Sequence, residues 1–269
     1  MEDLKFDMVR ESLARKFRPA GFEQPEGSRK NYVEPRRELQ EAFSEWVSEL
    51  HPFYISWEES ERVYKKACNS IQPLGEIPYR EANSLLLNFK PKTDGEKGAG
   101  LFISACFNQS HENIIIFDTD APEVDRIGYI LGENKVLVNN GVVGSCFGPM
   151  SSGFIVNKAE SGDLLGQLSS GIILNGGKTG YRFGECSSGT LIALREPKRF
   201  NYGDVRKTKR ILRSWDIYRV PELKNYLDEM SEITKNIKDE ESAKRFLERY
   251  GPEPKERIEH DIKDILERR

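Results

Sequence analysis

Residues 144–156 read GSCFGPMSSGFIV, and the same pattern returns as GDLLGQLSSGIIL from Gly162 and as GYRFGECSSGTLI from Gly180, each copy eighteen residues after the last. Every copy has the form G-x-x-x-G-x-x-S-S-G followed by three mostly apolar residues. The glycines are Gly144, Gly148 and Gly153, then Gly162, Gly166 and Gly171, then Gly180, Gly184 and Gly189. An eighteen-residue period is too long for a hairpin and too short for a domain, so each copy is one coil of a stack.

Stacking in register sets equivalent residues in columns. Phe147, Leu165 and Phe183 form one apolar column, Met150, Leu168 and Cys186 a second, and Ile155, Ile173 and Leu191 a third. All three are expected to fill the interior. The Gly-x-x-x-Gly and Ser-Ser-Gly segments are expected at corners, where positive φ suits glycine. The serine pairs 151/152, 169/170 and 187/188 are placed to form hydroxyl ladders. Phe154-Ile155-Val156, Ile172-Ile173-Leu174 and Thr190-Leu191-Ile192 read as strands.

Upstream the pattern decays. Val136-Leu137-Val138 precedes Phe154 by one period, with Tyr129 opposite Phe147, while Arg126, Ile130 and Lys135 stand where Gly144, Gly148 and Gly153 would be. Phe107 and Ile114-Ile115-Ile116 suggest a coil before it, lengthened around Ala121–Val124, and Leu85-Leu86-Leu87-Asn88 an earlier strand. The sequence Asn175-Gly176-Gly177-Lys178-Thr179 has the ending of a phosphate-binding loop, but Ile172 stands where that loop needs its first glycine, and a strand rather than a helix follows.

This run of glycines ahead of short apolar strands resembles the glycine-repeat β-helix at the C-terminal end of the glutamate synthase large subunit, a domain also found among the polypeptides of formylmethanofuran dehydrogenase. The match covers about a fifth of the chain. The resemblance implies a rigid, packed spacer or docking module, and an accessory place in a redox or amidotransferase complex. Nothing in the chain resembles a flavin barrel or an N-terminal glutaminase domain.

Around the repeat the pattern turns helical. Leu39, Ala42, Phe43, Trp46, Val47 and Leu50 make an amphipathic stripe ended by Pro52, and a second helix is expected over 58–68. Leu223, Tyr226, Leu227, Met230, Ile233 and Ile237 form another stripe after Pro221, with further helices over 240–250 and 254–268 separated by Gly251-Pro252. Residues 19–35 read as a linker or surface loop. The expected fold is mainly β with helical flanks: a helical segment 1–79, a right-handed parallel β-helix 80–200, and a helical segment 201–269. The helices are expected to cap the solenoid's open ends, or else to form an interface.

Composition narrows the function. The charge of −3 and pI near 5.9 oppose general nucleic-acid binding. No apolar run reaches membrane-spanning length, and the N-terminus is charged from residue 2, so a soluble, cytoplasmic protein is expected. Cys68, Cys106, Cys146 and Cys186 lack disulfide or zinc spacing, and His51, His111 and His260 lack ligand spacing, so no metal or cofactor is implied. Asp118 and Asp120, with His111 nearby, are the catalytic candidates, although such carboxylates more often end a strand. Arg199, Arg206, Lys207, Lys209, Arg210 and Arg213, interleaved with Phe200, Tyr202 and Trp215, are the candidate polyanion or nucleic-acid contacts. A solvated connector is the preferred reading of that segment. The function expected is a non-catalytic scaffold or assembly module that binds a protein partner or itself, with accessory-subunit and polyanion-binding roles as alternatives.

Overall fold

In a computed structural model the residues described are 33–194, 199–200, 210–213, 217, 220–237, 239–251 and 253–268. Most of the 19–35 stretch, and Arg206, Lys207 and Lys209, lie outside them.

The repeat folds as a parallel β-solenoid of about four turns. Strands β1 (Ile114–Phe117), β2 (Val136–Asn139), β3 (Phe154–Asn157), β5 (Ile172–Asn175), β8 (Thr190–Ala193) and β10 (Arg210–Arg213) stack in that order as one parallel sheet. Leu137 pairs with Ile155, Ile155 with Ile173, and Ile173 with Leu191, the register that the repeat predicts. On the other sides β4 (Glu160–Ser161) pairs with β6 (Lys178–Thr179), and β7 (Tyr181–Phe183) with β9 (Arg199–Phe200). Lys178-Thr179 is therefore strand, with no helix after it, and is no phosphate loop.

Each coil has a corner in which left-handed residues alternate with others. Gly148, Gly166 and Gly184 sit there at φ 65°, 68° and 65°. The positions two before and two after them are also left-handed without being glycine: Cys146, Leu164 and Arg182 on one side, Met150, Leu168 and Cys186 on the other. Phe147, Leu165 and Phe183 point inward and are buried, as expected. Met150 and Leu168 do not: they are 41% and 37% exposed, and Cys186 is half-buried beside them. The expected second core column is thus an outer ridge. Strand alternation does not carry through left-handed residues, so the side of position 150 could not be counted from position 147.

The first coil is shifted from its sequence assignment. Arg126 N donates to Ser145 O, Gly148 N to Ile127 O and Ile130 N to Pro149 O, so Gly128, at φ 80°, takes the corner position and Ile127 the place opposite Phe147. Two extra residues within Leu131–Lys135 cause the slip.

Residues before β1 are helical, which corrects the expected start of the solenoid near residue 80. Helices α1 (Arg37–Ser48), α2 (Trp57–Ile71), α3 (Tyr79–Leu85) and α4 (Gly100–Gln109) precede the sheet. Leu85-Leu86-Leu87 ends α3 and enters a turn, and Phe107 lies in α4. Helix α4 is apolar all round and buried from Gly100 to Phe107, because it is wedged between the other helices and the first coil. Its polar residues close that coil: Ser104 Oγ reaches Arg126 O and accepts from Tyr129 N, both at 3.0 Å, while Asn108 Oδ1 accepts from Gly132 N at 3.1 Å. From α3, Asn83 Nδ2 donates to Ile116 O at 2.6 Å and closes the β1 edge. These helices cap the first end as expected.

The C-terminal helices α5 (Pro221–Lys235), α6 (Glu240–Tyr250) and α7 (Pro254–Glu267) follow the predicted stripe, with Pro221 in the first turn of α5. They cover the side of the sheet rather than an end. Phe246 stacks on Phe154 with centroids 5.9 Å apart, and Ile237 O accepts from Asn140 Nδ2 at 3.4 Å and Lys158 Nζ at 3.5 Å. Phe154, Val156, Ile172 and Leu174 are consequently buried on the outward face, while Ile155 and Ile173 fill the inside.

Inside the coil two polar columns hold the register. Asn139 Nδ2 donates to Asn157 Oδ1 at 2.9 Å and Asn157 Nδ2 to Asn175 Oδ1 at 2.8 Å, a fully buried amide ladder. The first serine of each pair is buried, and bonds backbone rather than the next hydroxyl: Ser169 Oγ donates to Ser151 O at 3.2 Å and Ser187 Oγ to Gly166 O at 2.6 Å.

Candidate interaction surface

The catalytic candidates have other partners. Asp120 Oδ1 accepts from Val142 N at 2.8 Å, a bond between neighbouring coils. Thr119 is buried with its hydroxyl on Asn83 O, which leaves Asp118 and Asp120 on the same partly exposed side. His111 stands in an exposed turn with Nε2 3.9 Å from the Glu76 carboxylate. Nearby, Glu112 Oε2 accepts from Tyr79 N and Ser110 Oγ, each at 3.0 Å.

Two of the cysteines are held as thiols. Burial pushes the Cys146 thiol up to about 11, and it drives Cys106 higher still, so both stay protonated near neutral pH. Among the described residues no group of three or more His, Cys, Asp or Glu is placed to hold a metal ion. Arg199 lies in β9 beside Tyr181, and Arg210 and Arg213 bound β10 at the last coil.

The solenoid's sides differ in what they show to solvent. One is covered by α5–α7. A second carries polar side chains at its rim, such as Glu160 and Lys178 with 4.0 Å between their charged ends. The third carries the apolar ridge Ile130, Met150, Leu168 and Cys186, one residue per coil, bordered by Gln167 and Glu185, whose side chains bond at 3.1 Å. Neighbouring coils are about 4.8 Å apart. The ridge is therefore a regular strip of partly exposed apolar groups roughly 14 Å long.

Backbone strain marks the same strip. Ile130, Met150 and Leu168 sit at φ 51°, 53° and 56°, where a non-glycine L residue costs about 1–2 kcal/mol. Glycine or asparagine would relieve that cost at an exposed corner, yet large apolar side chains stand there. A second left-handed column, two residues before the corner glycine, starts at Arg126 in the first coil and continues through Cys146 and Leu164 to Arg182. Arg126 is fully buried, and its Nη2 donates to Tyr54 Oη at 2.8 Å and Ile55 O at 2.7 Å. These contacts tie the loop between α1 and α2 to the solenoid.

The sequence pattern places Met150 and Leu168 in the core and gives no role to Tyr54 or to the Arg126 side chain. The sequence signal present was the recurrence of large apolar residues at a corner position rich in glycine and serine. No family model, curated protein or solved structure matches the chain. The likeness to the glutamate synthase and formylmethanofuran dehydrogenase β-helix thus rests on the repeat alone. No helix among the described residues is long and apolar enough to cross a membrane.

Proposed function

We propose that this chain is a non-catalytic β-solenoid scaffold, an assembly module that binds a protein partner or itself through the ridge side. The observation that carries this reading is the exposed, strained apolar ridge at Met150 and Leu168, on the side of the solenoid that α5–α7 do not cover. A stacked solenoid presents such groups at fixed spacing without the ordering entropy that a flexible loop loses on binding. The glycine-repeat resemblance points the same way, toward a rigid spacer in a larger complex.

The test is to compare tagged wild type with Met150→Lys/Leu168→Lys in the native source, using quantitative mass spectrometry of bound proteins and light scattering of the purified chain. A stoichiometric partner or a dimer is expected for wild type and lost in the variant. Two monomeric proteins without partners would refute the reading. Both side chains are exposed, so the variant is expected to melt with the wild type.

A further inference from the structure

The loop between α1 and α2 lifts two aromatic rings into solvent and holds them there. Phe53 is 72% exposed and Tyr54 55% exposed. His51 lies against Phe53 with ring centroids 4.9 Å apart. The backbone beneath is pinned: Gly95 N donates to Pro52 O at 3.3 Å, and a side chain at Gly95 would collide with His51 O. Ile55 is buried under the tip.

The strongest hold comes from Arg126. Its guanidinium is taken out of water to bond two neutral acceptors, Tyr54 Oη and Ile55 O, while its Nε has no partner. It lies 4.9 Å from the Tyr54 ring centre and 5.9 Å from that of Trp57. Both hydrogen bonds go to the loop, while the neighbouring Asp125 carboxylate meets the charge. What it accomplishes here is to fix the loop, so Phe53 and Tyr54 lose little freedom when something binds them. Rigid exposed aromatics of this kind are the usual anchors of interfaces.

The rim of the tip is acidic. Glu59 begins α2 and acts on His51, Asp94 and Glu96 flank Gly95, and Glu123 and Asp125 both act on Lys97. Against them stand Lys97, already 2.7 Å from Asp94, Arg62, 3.8 Å from Glu59, Lys92, and Arg126 beneath the Tyr54 ring, making five carboxylates to four cations. Carboxylates therefore outnumber cations around two exposed aromatic faces. That combination favours a cation carried on an aliphatic stem, which stacks on an aromatic face while its charge meets the rim. Arg126 already makes the same stack on Tyr54 from within.

We propose that the His51–Tyr54 tip docks a positively charged segment of a partner protein, with a lysine or arginine laid on Phe53 and Tyr54 and paired with the acidic rim. This rests on the assembly reading above and names the chemistry of a partner at a second exposed surface.

The probe is a phage-displayed library of random peptides, panned on the immobilised full chain, with the recovered peptides measured by fluorescence polarisation. Recovered sequences are expected to be enriched in lysine and arginine and to bind several-fold more weakly as salt is raised. Phe53→Ser is expected to weaken them at least tenfold, and Glu59→Gln/Glu123→Gln several-fold, while Met150→Lys/Leu168→Lys leaves them unchanged. Melting curves of the variants check that the exposed substitutions leave the fold intact. Recovery of neutral or acidic peptides, recovery of none, or binding indifferent to Phe53→Ser would overturn the proposal. If a native partner still binds at the ridge in any of those cases, the assembly reading survives and only the tip assignment falls.

Discussion

Replacing Gly166 with valine tests why the corner is built as it is. Gly166 has φ 68°, but so do its neighbours in kind, since Leu164 at 62° and Leu168 at 56° are left-handed without being glycine. Left-handed strain alone therefore does not demand glycine. The difference is direction: a Cβ on Gly166 would drive into Cδ1 of Ile173, a fully buried core residue. Strain for an L residue costs about 1–2 kcal/mol and overpacking a dense core about 1–3 kcal/mol, offset by less than about 1 kcal/mol from a stiffer unfolded chain. A net loss of about 2–4 kcal/mol corresponds to a Tm drop of roughly 5–15 °C for a domain of this size. Calorimetry on Gly166→Val, with Gly176→Ala alongside, measures it. Gly176 is not left-handed and the nearest atom to an added Cβ is Asn157 O at 3.8 Å, so that control is expected to melt with the wild type. Equal melting of all three proteins, or an equal fall in both variants, would refute the reasoning.

Asn157→Ala is expected to cost about 1–3 kcal/mol in urea unfolding, because it takes the acceptor from the buried Asn139 Nδ2 and breaks the bond to Asn175 Oδ1; a change under about 0.5 kcal/mol would mean that the ladder does not hold the coils. Asp125 is titrated by burial: desolvation raises its pKa, opposed by the Ser145 N–H at 2.7 Å and by Arg126. A raised folded-state pKa means that its stabilising share is complete below the ordinary carboxylate range and is lost as pH rises through the folded value. Asp125→Asn keeps the acceptor and removes the charge, so it is expected to melt no lower than wild type at pH 7, with its advantage shrinking as pH falls through the raised folded value and gone below about 4. A variant markedly less stable at pH 7 would show that the carboxylate charge is needed there.

The eighteen-residue period was enough to place β2, β3, β5 and β8 and to set their register residue by residue. It failed at the first coil, where two extra residues in Leu131–Lys135 moved Gly128 into the place sought at Ile130. It failed as well at Met150, because counting sides along a strand assumes extended residues and the corner alternates left-handed ones. Helix α4 was missed because Gly100–Phe107 is nearly all apolar, and such a run shows neither a helical nor a strand period. Asn139, Asn157 and Asn175 end successive strands at the repeat spacing, so the ladder is legible in the sequence. The Tyr54–Arg126 contact joins residues 72 apart and has no local signature.

The helices' division of labour follows from the strands themselves. In a bare solenoid only alternate residues of a strand face the interior, and the others meet water. Phe154-Ile155-Val156 and Ile172-Ile173-Leu174 are apolar at every position, the signature of a strand buried on both faces. Each outward Phe, Ile, Val or Leu left uncovered would forgo about 1.5–3 kcal/mol, so the sheet needs a cover. Phe246 stacked on Phe154 shows that α6 is part of that cover. The apolar stripe of the C-terminal helices is thereby committed to packing within this chain: Leu223, Leu227, Met230, Phe246, Ile258 and Ile262 are all buried. A partner that displaced these helices would have to replace all of that contact. One that docks at Met150, Leu168 or the Phe53–Tyr54 tip displaces only water, and assembly through either surface leaves the fold's own core untouched.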